Sequence, residues 1–257
     1  MLLQGKVAVI TGSAVGIGRG IAIAAAEEGA DVACLDYDPS NNAKTAAMVR
    51  ALGRTALAID CDVADKLHVR RAFAEVIDRF GRIDLLVNNA AIWVNTALTQ
   101  GSFESQAANY EASINGCALG SFYCALAAAP VMPAGSNIVN IITEHIKEGH
   151  YIHQMAAATG YDGAKFVQWR QTEAWALELK PRGIRVNAIC PGATDTPMLR
   201  GVSVAAAENG MKPADVGLAV MNIVRQGADG PIGQSWLVGP SGSKTGRADA
   251  EALANLA

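Results

Sequence analysis

Short apolar runs alternate with stretches of helical spacing along this chain. The runs at 6–10, 31–36, 55–60, 83–88, 137–142, 185–189 and 235–238 are too short and too continuously apolar for amphipathic helices, and they read as buried strands. Between them, 16–28, 41–51, 66–80, 103–131, 159–179 and 213–226 carry apolar residues at helical intervals. Strand and helix in regular alternation predict a parallel sheet covered on both faces and wound by right-handed crossovers. Seven strands leave little chain for a second domain, so 1–257 is expected to be one unit. The tail 241–257, rich in Ser, Gly and Ala, has no clear place in it.

The junction between the first strand and the first helix reads Thr11-Gly-Ser-Ala-Val-Gly-Ile-Gly18. A strand, a glycine turn and a helix start in succession bring free backbone N–H groups and a positive helix end to one point, which suits a phosphate. Gly12 lets the strand turn, Gly16 leaves room beside a pyrophosphate, and Gly18 lets the helix pack close. Ser13, Val15 and Ile17 complete the stretch expected to face a cofactor. The architecture is then α/β, a Rossmann-like doubly wound seven-stranded parallel sheet. Asp36 ends the second strand about twenty residues on, where a carboxylate accepts hydrogen bonds from adenosine ribose hydroxyls and repels a 2′-phosphate. NAD is expected over NADP; a plain strand-end cap is the alternative for Asp36. Asp62 and Val63 after the third strand, and Asn88, Asn89, Ala90 and Ala91 after the fourth, fall at the same sheet edge, where adenine and ribose would lie.

Composition narrows the partner. The chain is 51% hydrophobic and 18% charged with a net charge of -3, which gives no electrostatic footprint for nucleic acid or an anionic membrane. A small-molecule partner is expected. No leader pattern opens the sequence and no apolar run reaches the roughly eighteen residues of a spanning helix, so the expected location is cytoplasmic. Cys34, Cys61, Cys117, Cys124 and Cys190 show no C-x-x-C pair and fall in strands or helices, as reduced core thiols do.

Tyr161 and Lys165 stand four residues apart and project from one helix face. A tyrosine of ordinary pKa near 10 is a poor base at neutral pH, and a nearby ammonium lowers that value. With the glycine turn, Asp62, Asn88 to Ala91, Tyr161-Asp-Gly-Ala-Lys165, and Pro191-Gly192 followed by Thr194 and Thr196, the chain from about Leu3 to about Gly239 resembles the classical short-chain dehydrogenase/reductase family. The resemblance implies hydride transfer between a nicotinamide cofactor and a secondary alcohol or ketone. Tyr161 would be the general acid/base, and Lys165 would lower its pKa and grip the nicotinamide ribose. Pro191 and Gly192 would lie against the nicotinamide, and Thr194 and Thr196 would bind its carboxamide and a phosphate.

The chain departs from the family pattern in two places. Thr143 stands where a serine usually orients the substrate oxygen, with Thr159 a weaker hydroxyl candidate; threonine keeps the hydroxyl and adds a methyl. Cys117 falls where the family places a catalytic asparagine, with Asn115 two residues earlier on another helix face unless the helix is locally shifted. The segment 144–155 holds His145, His150 and His153, and is expected to wall the substrate pocket opposite Trp93, Asn95 and a lid at 198–211. A polar, hydroxylated or anionic substrate would suit it; a solvated loop is the alternative. No ligand spacing points to a metal. Trp169 and Trp175 exceed what one sheet-facing helix needs, and a homotetramer or homodimer is expected, with core packing as the alternative. The reading is an NAD-dependent dehydrogenase of a small polar secondary alcohol. Its rival is an NAD-binding redox regulator or structural protein with weak turnover.

Overall fold

The computed structural model describes residues 1–146 and 157–239. Within them the apolar runs form β1 (Val7–Thr11), β2 (Asp31–Asp36), β3 (Ala56–Asp60), β4 (Leu85–Asn88), β5 (Asn137–Ile141), β6 (Arg185–Pro191) and β7 (Ser235–Val238). All pair parallel in one sheet of order β3-β2-β1-β4-β5-β6-β7. The chain builds outward from β1 to β3, then returns to lay β4 on the other side of β1. At that reversal the connections diverge and open a crevice at the carboxyl ends of the strands.

Helices α1 (Gly16–Glu27), α2 (Pro39–Ala51), α3 (Lys66–Phe80), α4 (Phe103–Ser113), α5 (Gly120–Ala128), α6 (Thr159–Leu179), α7 (Pro197–Val202), α8 (Val204–Glu208) and α9 (Pro213–Arg225) complete the described fold. Residues of α1, α2 and α9 pack with β1 and β2 in one apolar cluster, and those of α3, α5 and α6 fill the other face. Helices α1 and α9 touch backbone to backbone: a Cβ on Gly217 would fall 2.7 Å from the Gly20 carbonyl oxygen. Buried Asn42 on α2 ties its face to the sheet, donating to the carbonyls of Cys34 (2.8 Å) and Ile59 (3.2 Å) and accepting from the Ser13 hydroxyl (2.9 Å). All five cysteines are free and buried.

The stretch expected as one helix over 103–131 is broken. A π-helical turn, Ile114–Leu119, separates α4 from α5, and a 3-10 turn with Pro130 ends it. By length and composition Phe103–Val131 could cross a membrane, an 18-residue stretch within it having a mean hydropathy of 1.4, where the sequence reading expected no such run. Here it lies against α6 and α3. The region expected as a lid folds into α7 and α8. Trp175 also departs from expectation: it is buried in the core with Ala176 and Leu179, and Trp169 packs on Ile142, Ile146, Ala188 and Cys190. The large apolar side chains that α6 leaves outside are Phe166, Val167 and Leu177.

Candidate functional site

Two loops meet over the crevice, and the glycine turn forms its floor. Gly12 has φ +65°, and a Cβ there would lie 2.8 Å from Ala90 Cα; one on Gly18 would collide with the Gly12 carbonyl. These glycines are required by packing as well as by any ligand. The Thr11 hydroxyl accepts from the N–H groups of Asn89 and Ala90 (both 3.0 Å), and the Asn89 amide donates to the carbonyls of Thr11 (2.9 Å) and Gly12 (3.0 Å). The turn is thereby clamped to the end of β4. Ser13 is turned inward to Leu35 and Asn42, so what it can offer a ligand is backbone. Gly16, at φ +56°, lies under the Thr196 methyl; Ile17 packs on the core and Val15 is exposed.

Asp38, Asp65 and Ser102 cap α2, α3 and α4 through their side chains, whereas Val15, at the N-cap of α1, offers no side-chain acceptor. Among the described residues no side chain accepts from the N-terminal N–H groups of α1, and a phosphate would complete them. Beside this point Asp36, 7% exposed, accepts from Ala14 N (2.8 Å) and Asp38 N (2.9 Å). Its carboxylate is thus held in place next to the glycine turn. Asp62 is exposed at the end of β3 and accepts from Ala64 N (2.9 Å), while Val63 is buried against Gly120. Together the uncapped helix end, the glycine cradle and the anchored carboxylate fit a nicotinamide dinucleotide.

On the far side of the crevice, β6 ends at Pro191 and Gly192 donates to Val238 O (2.7 Å). Thr194 donates to Gly192 O (2.9 Å), and Thr196 caps α7 through Leu199 N (3.2 Å). Gly192 has the Glu144 carboxylate against it: a Cβ there would fall 2.9 Å from an Oε atom. The loop after β6 therefore lies on the loop after β5.

That second loop carries Thr143 and His145 to Tyr161. Thr143 is buried, its hydroxyl accepts from His145 N (3.4 Å), and it stands beside the Tyr161 phenol, whose pKa it lowers. Burial raises the Tyr161 pKa above its ordinary value, as do Cys117 and Asp162, and the Thr143 hydrogen bond opposes the rise. Trp93 meets Tyr161 edge to face with ring centroids 4.9 Å apart, and His145 stands 6.2 Å from each ring. His145 Nδ1 is 3.0 Å from Asp162 Oδ1. Two aromatic rings and a carboxylate thus stand around the phenol. His150 and His153 lie outside the described residues.

Lys165 lies beneath the tyrosine. It is 1% exposed, its ammonium is 5.5 Å from the Tyr161 ring centroid, and it donates to Ile141 O (2.7 Å) and Gln168 Oε1 (2.8 Å). Burial lowers its pKa. Behind the pair, Cys117 packs with Ala118, Ala164 and Tyr161, its thiol 3.8 Å from Ile92 O. The π-helical turn is the local shift that Asn115 would have needed, yet it is Cys117 that faces the tyrosine, and Asn115 stays half-buried with no side-chain hydrogen bond among the described residues. Gln171 supports the turn, donating to Ala118 O (3.1 Å) and accepting from Ser121 (3.0 Å). Asp162, Gln168 and Gln171 carried no signal in the sequence beyond being polar residues on a helix with an apolar face. Among the described residues no group of three or more His, Cys, Asp or Glu is arranged for a metal.

Residues 12–234 match the family model described as enoyl-(acyl carrier protein) reductase. The chain is similar to the 3beta-hydroxysteroid dehydrogenase of Mediterraneibacter gnavus, at 32% identity over 87% of this chain and 75% of that protein. It is similar to the sorbitol dehydrogenase of Cereibacter sphaeroides, at 36% identity over 86% of this chain and 84% of that one. Among solved structures, a short-chain dehydrogenase from Burkholderia cenocepacia in complex with NADP superposes with a TM-score of 0.81 at 31% identity, covering 92% of this chain and 97% of the other.

Proposed function

The chain belongs to the short-chain dehydrogenase/reductase family of alcohol and ketone oxidoreductases, and from that premise we propose that it transfers hydride between NAD(H) and a small, polar or hydroxylated secondary alcohol. One observation carries the reading: the crevice at the β1/β4 reversal brings the Tyr161 phenol against the Thr143 hydroxyl, with the Lys165 ammonium behind it.

In this reading Gly12 to Gly18 and the N-terminus of α1 hold the pyrophosphate, and Asp36 holds the adenosine ribose and rejects a 2′-phosphate. Asp62, Val63, Asn89 and Ala90 lie along the adenosine half, and Pro191, Gly192, Thr194 and Thr196 along the nicotinamide. Bound nicotinamide supplies the site for the hydride. Thr143 donates to or accepts from the substrate oxygen and sets it beside Tyr161. Tyr161 takes the hydroxyl proton in oxidation and returns it in reduction. Lys165 favours the phenolate through its charge and offers its remaining N–H to ribose. His145, oriented by Asp162, and Trp93 flank the position where substrate would sit, and the polar edge of the imidazole suits a hydroxylated chain. Exposed Phe122, Leu126, Phe166 and Val167 on α5 and α6 support a dimer or tetramer. The family fold and the absence of strong net charge fit a cytoplasmic small-molecule enzyme.

The test is NADH formation with NAD and a panel of polyols, sugar acids, cyclic alcohols and hydroxysteroids, beside Tyr161→Phe. Turnover abolished by the substitution supports the reading and identifies the substrate class. Tight NAD binding without turnover across the panel would favour the regulator.

A further inference from the structure

We infer that Gln168 is a positioning residue, whose amide oxygen holds the Lys165 ammonium without neutralising it and so leaves its charge free to act on Tyr161. The inference deepens the proposed function and rests on Tyr161 and Lys165 being its acid/base pair.

Lys165 is a fully buried cation, and buried charges are ordinarily paired with opposite ones. The acceptors on its ammonium are both neutral: the main-chain oxygen of Ile141 on β5 and the amide oxygen of Gln168, one turn further along α6. No carboxylate among the described residues forms an ion pair with it. Asp162, the charged group closest in sequence to the pair, is engaged with His145, and Glu144 lies against Gly192. Cys117 packs beside the pair, and its sulfur bears on both Lys165 and Tyr161. The oxyanion that Lys165 can pair with is the phenolate of Tyr161.

The amide is oriented by the contact itself. An ammonium has no lone pair, so the atom facing it must be Oε1. Nε2 then points elsewhere and, among the described residues, is buried with no hydrogen-bond partner. A side chain kept 0% exposed with its amide N–H groups unsatisfied is there for its other end. Its backbone is pinned as well. Asn88 on β4 donates to Asn140 on β5 (2.9 Å), Asn140 donates to Thr172 (2.9 Å), and the Thr172 hydroxyl donates to Gln168 O (2.9 Å). This buried chain sets the register of α6 on the sheet, and with it the reach of Gln168 to Lys165. A glutamate of the same shape would pair with the ammonium and cancel its field at the phenol. A methionine would fill the space and leave the ammonium one acceptor short.

Ultraviolet difference titration of the apoenzyme, with Tyr161→Phe as the blank in each background, reads the Tyr161 phenol without substrate or cofactor. In Gln168→Glu the phenol should ionise about one pH unit or more higher than in the wild type, and the acid limb of the kcat profile should move with it. In Gln168→Met the phenol should move in the same direction, and NAD should bind more weakly by calorimetry. Melting curves confirm that each variant is folded, and if Gln168→Glu fails to fold, Gln168→Met decides. Unshifted titration in a folded Gln168→Glu, or a Gln168→Met unchanged in both titration and NAD affinity, would overturn the inference. Because the titration needs no turnover, it stands apart from failure of the substrate panel.

Discussion

Asp36 separates two jobs that one carboxylate performs, and Asp36→Ala distinguishes them by magnitude. As a clamp, its oxygens accept the N–H groups of Ala14 and Asp38. Hydrogen bonds to a charged group are worth roughly 1.5–3 kcal/mol each when buried. Tyr37 next to it is 77% exposed, so water reaches this strand end and replaces part of what is lost. A net loss of about 2 kcal/mol follows, a drop of about 4–8 °C in melting temperature for a chain of this size. As a selector, the carboxylate faces the charge of a 2′-phosphate. Two unit charges about 4 Å apart repel by about 1 kcal/mol in water and about 4 at an effective dielectric of 20. The wild type should therefore prefer NAD over NADP by about 5- to 1,000-fold, and Asp36→Ala should shrink that ratio to within a few-fold. Calorimetric titration with both nucleotides measures the ratio, and a melt run in parallel measures the clamp. A lowered melting temperature with an unchanged nucleotide ratio would refute the selector and leave only the clamp. Since the Burkholderia cenocepacia relative was solved with NADP, the family does not decide this point for the present chain.

Other predictions concern the scaffold and assembly. Asn42→Leu takes the side-chain donor from two strand carbonyls and leaves the Ser13 hydroxyl with Leu35 O alone, and should cost about 2–4 kcal/mol in urea denaturation; a loss below half a kilocalorie would show that the staple is idle. Burial pushes the thiols of Cys34 and Cys61 from 9.0 to about 12. The folded state keeps protons that the unfolded chain releases, so stability should fall as pH rises from about 9 toward 12. Cys34→Ala with Cys61→Ala should flatten that fall; an unchanged slope would count against it. Light scattering should show an oligomer that Phe122→Glu with Phe166→Glu reduces to a monomer, and a monomeric wild type would remove the basis of that claim. Asp162→Asn should raise KM more than it lowers kcat if His145 orients substrate; equal effects on both would place it in the chemistry instead.

Much of this fold was legible because its signals are local and repeated. Each strand announced itself as a short apolar run, and the structure moves their ends by one or two residues, as at β4, which begins at Leu85. The glycine turn was readable because steric need fixes the residue type: at Gly12 and Gly18 no side chain fits. What stayed hidden depends on partners far away in sequence. Asn42 reads as an ordinary surface-helix residue until β2 and β3 supply its acceptors, and Trp175 looks surplus until α5 covers it. Whether Asn115 or Cys117 faces the tyrosine depends on helix phase, which composition does not report. Gln168 is one polar letter in an amphipathic helix, and its meaning appears only when Lys165 turns inward.

The π-helical turn between α4 and α5 has a consequence for how this site can vary. A turn closed by a bond from Gly120 N to Asn115 O spends one residue more than an α-turn, and each residue added or removed rotates everything beyond it by about 100°. Deleting one residue within Ile114–Leu119 would let the two helices fuse into one and swing a different side chain behind Tyr161, with every other residue unchanged. At this point chain length, more than residue identity, selects the neighbour of the phenol. Sequences that differ here by an insertion or deletion would differ in their active-site wall as much as those that differ by substitution.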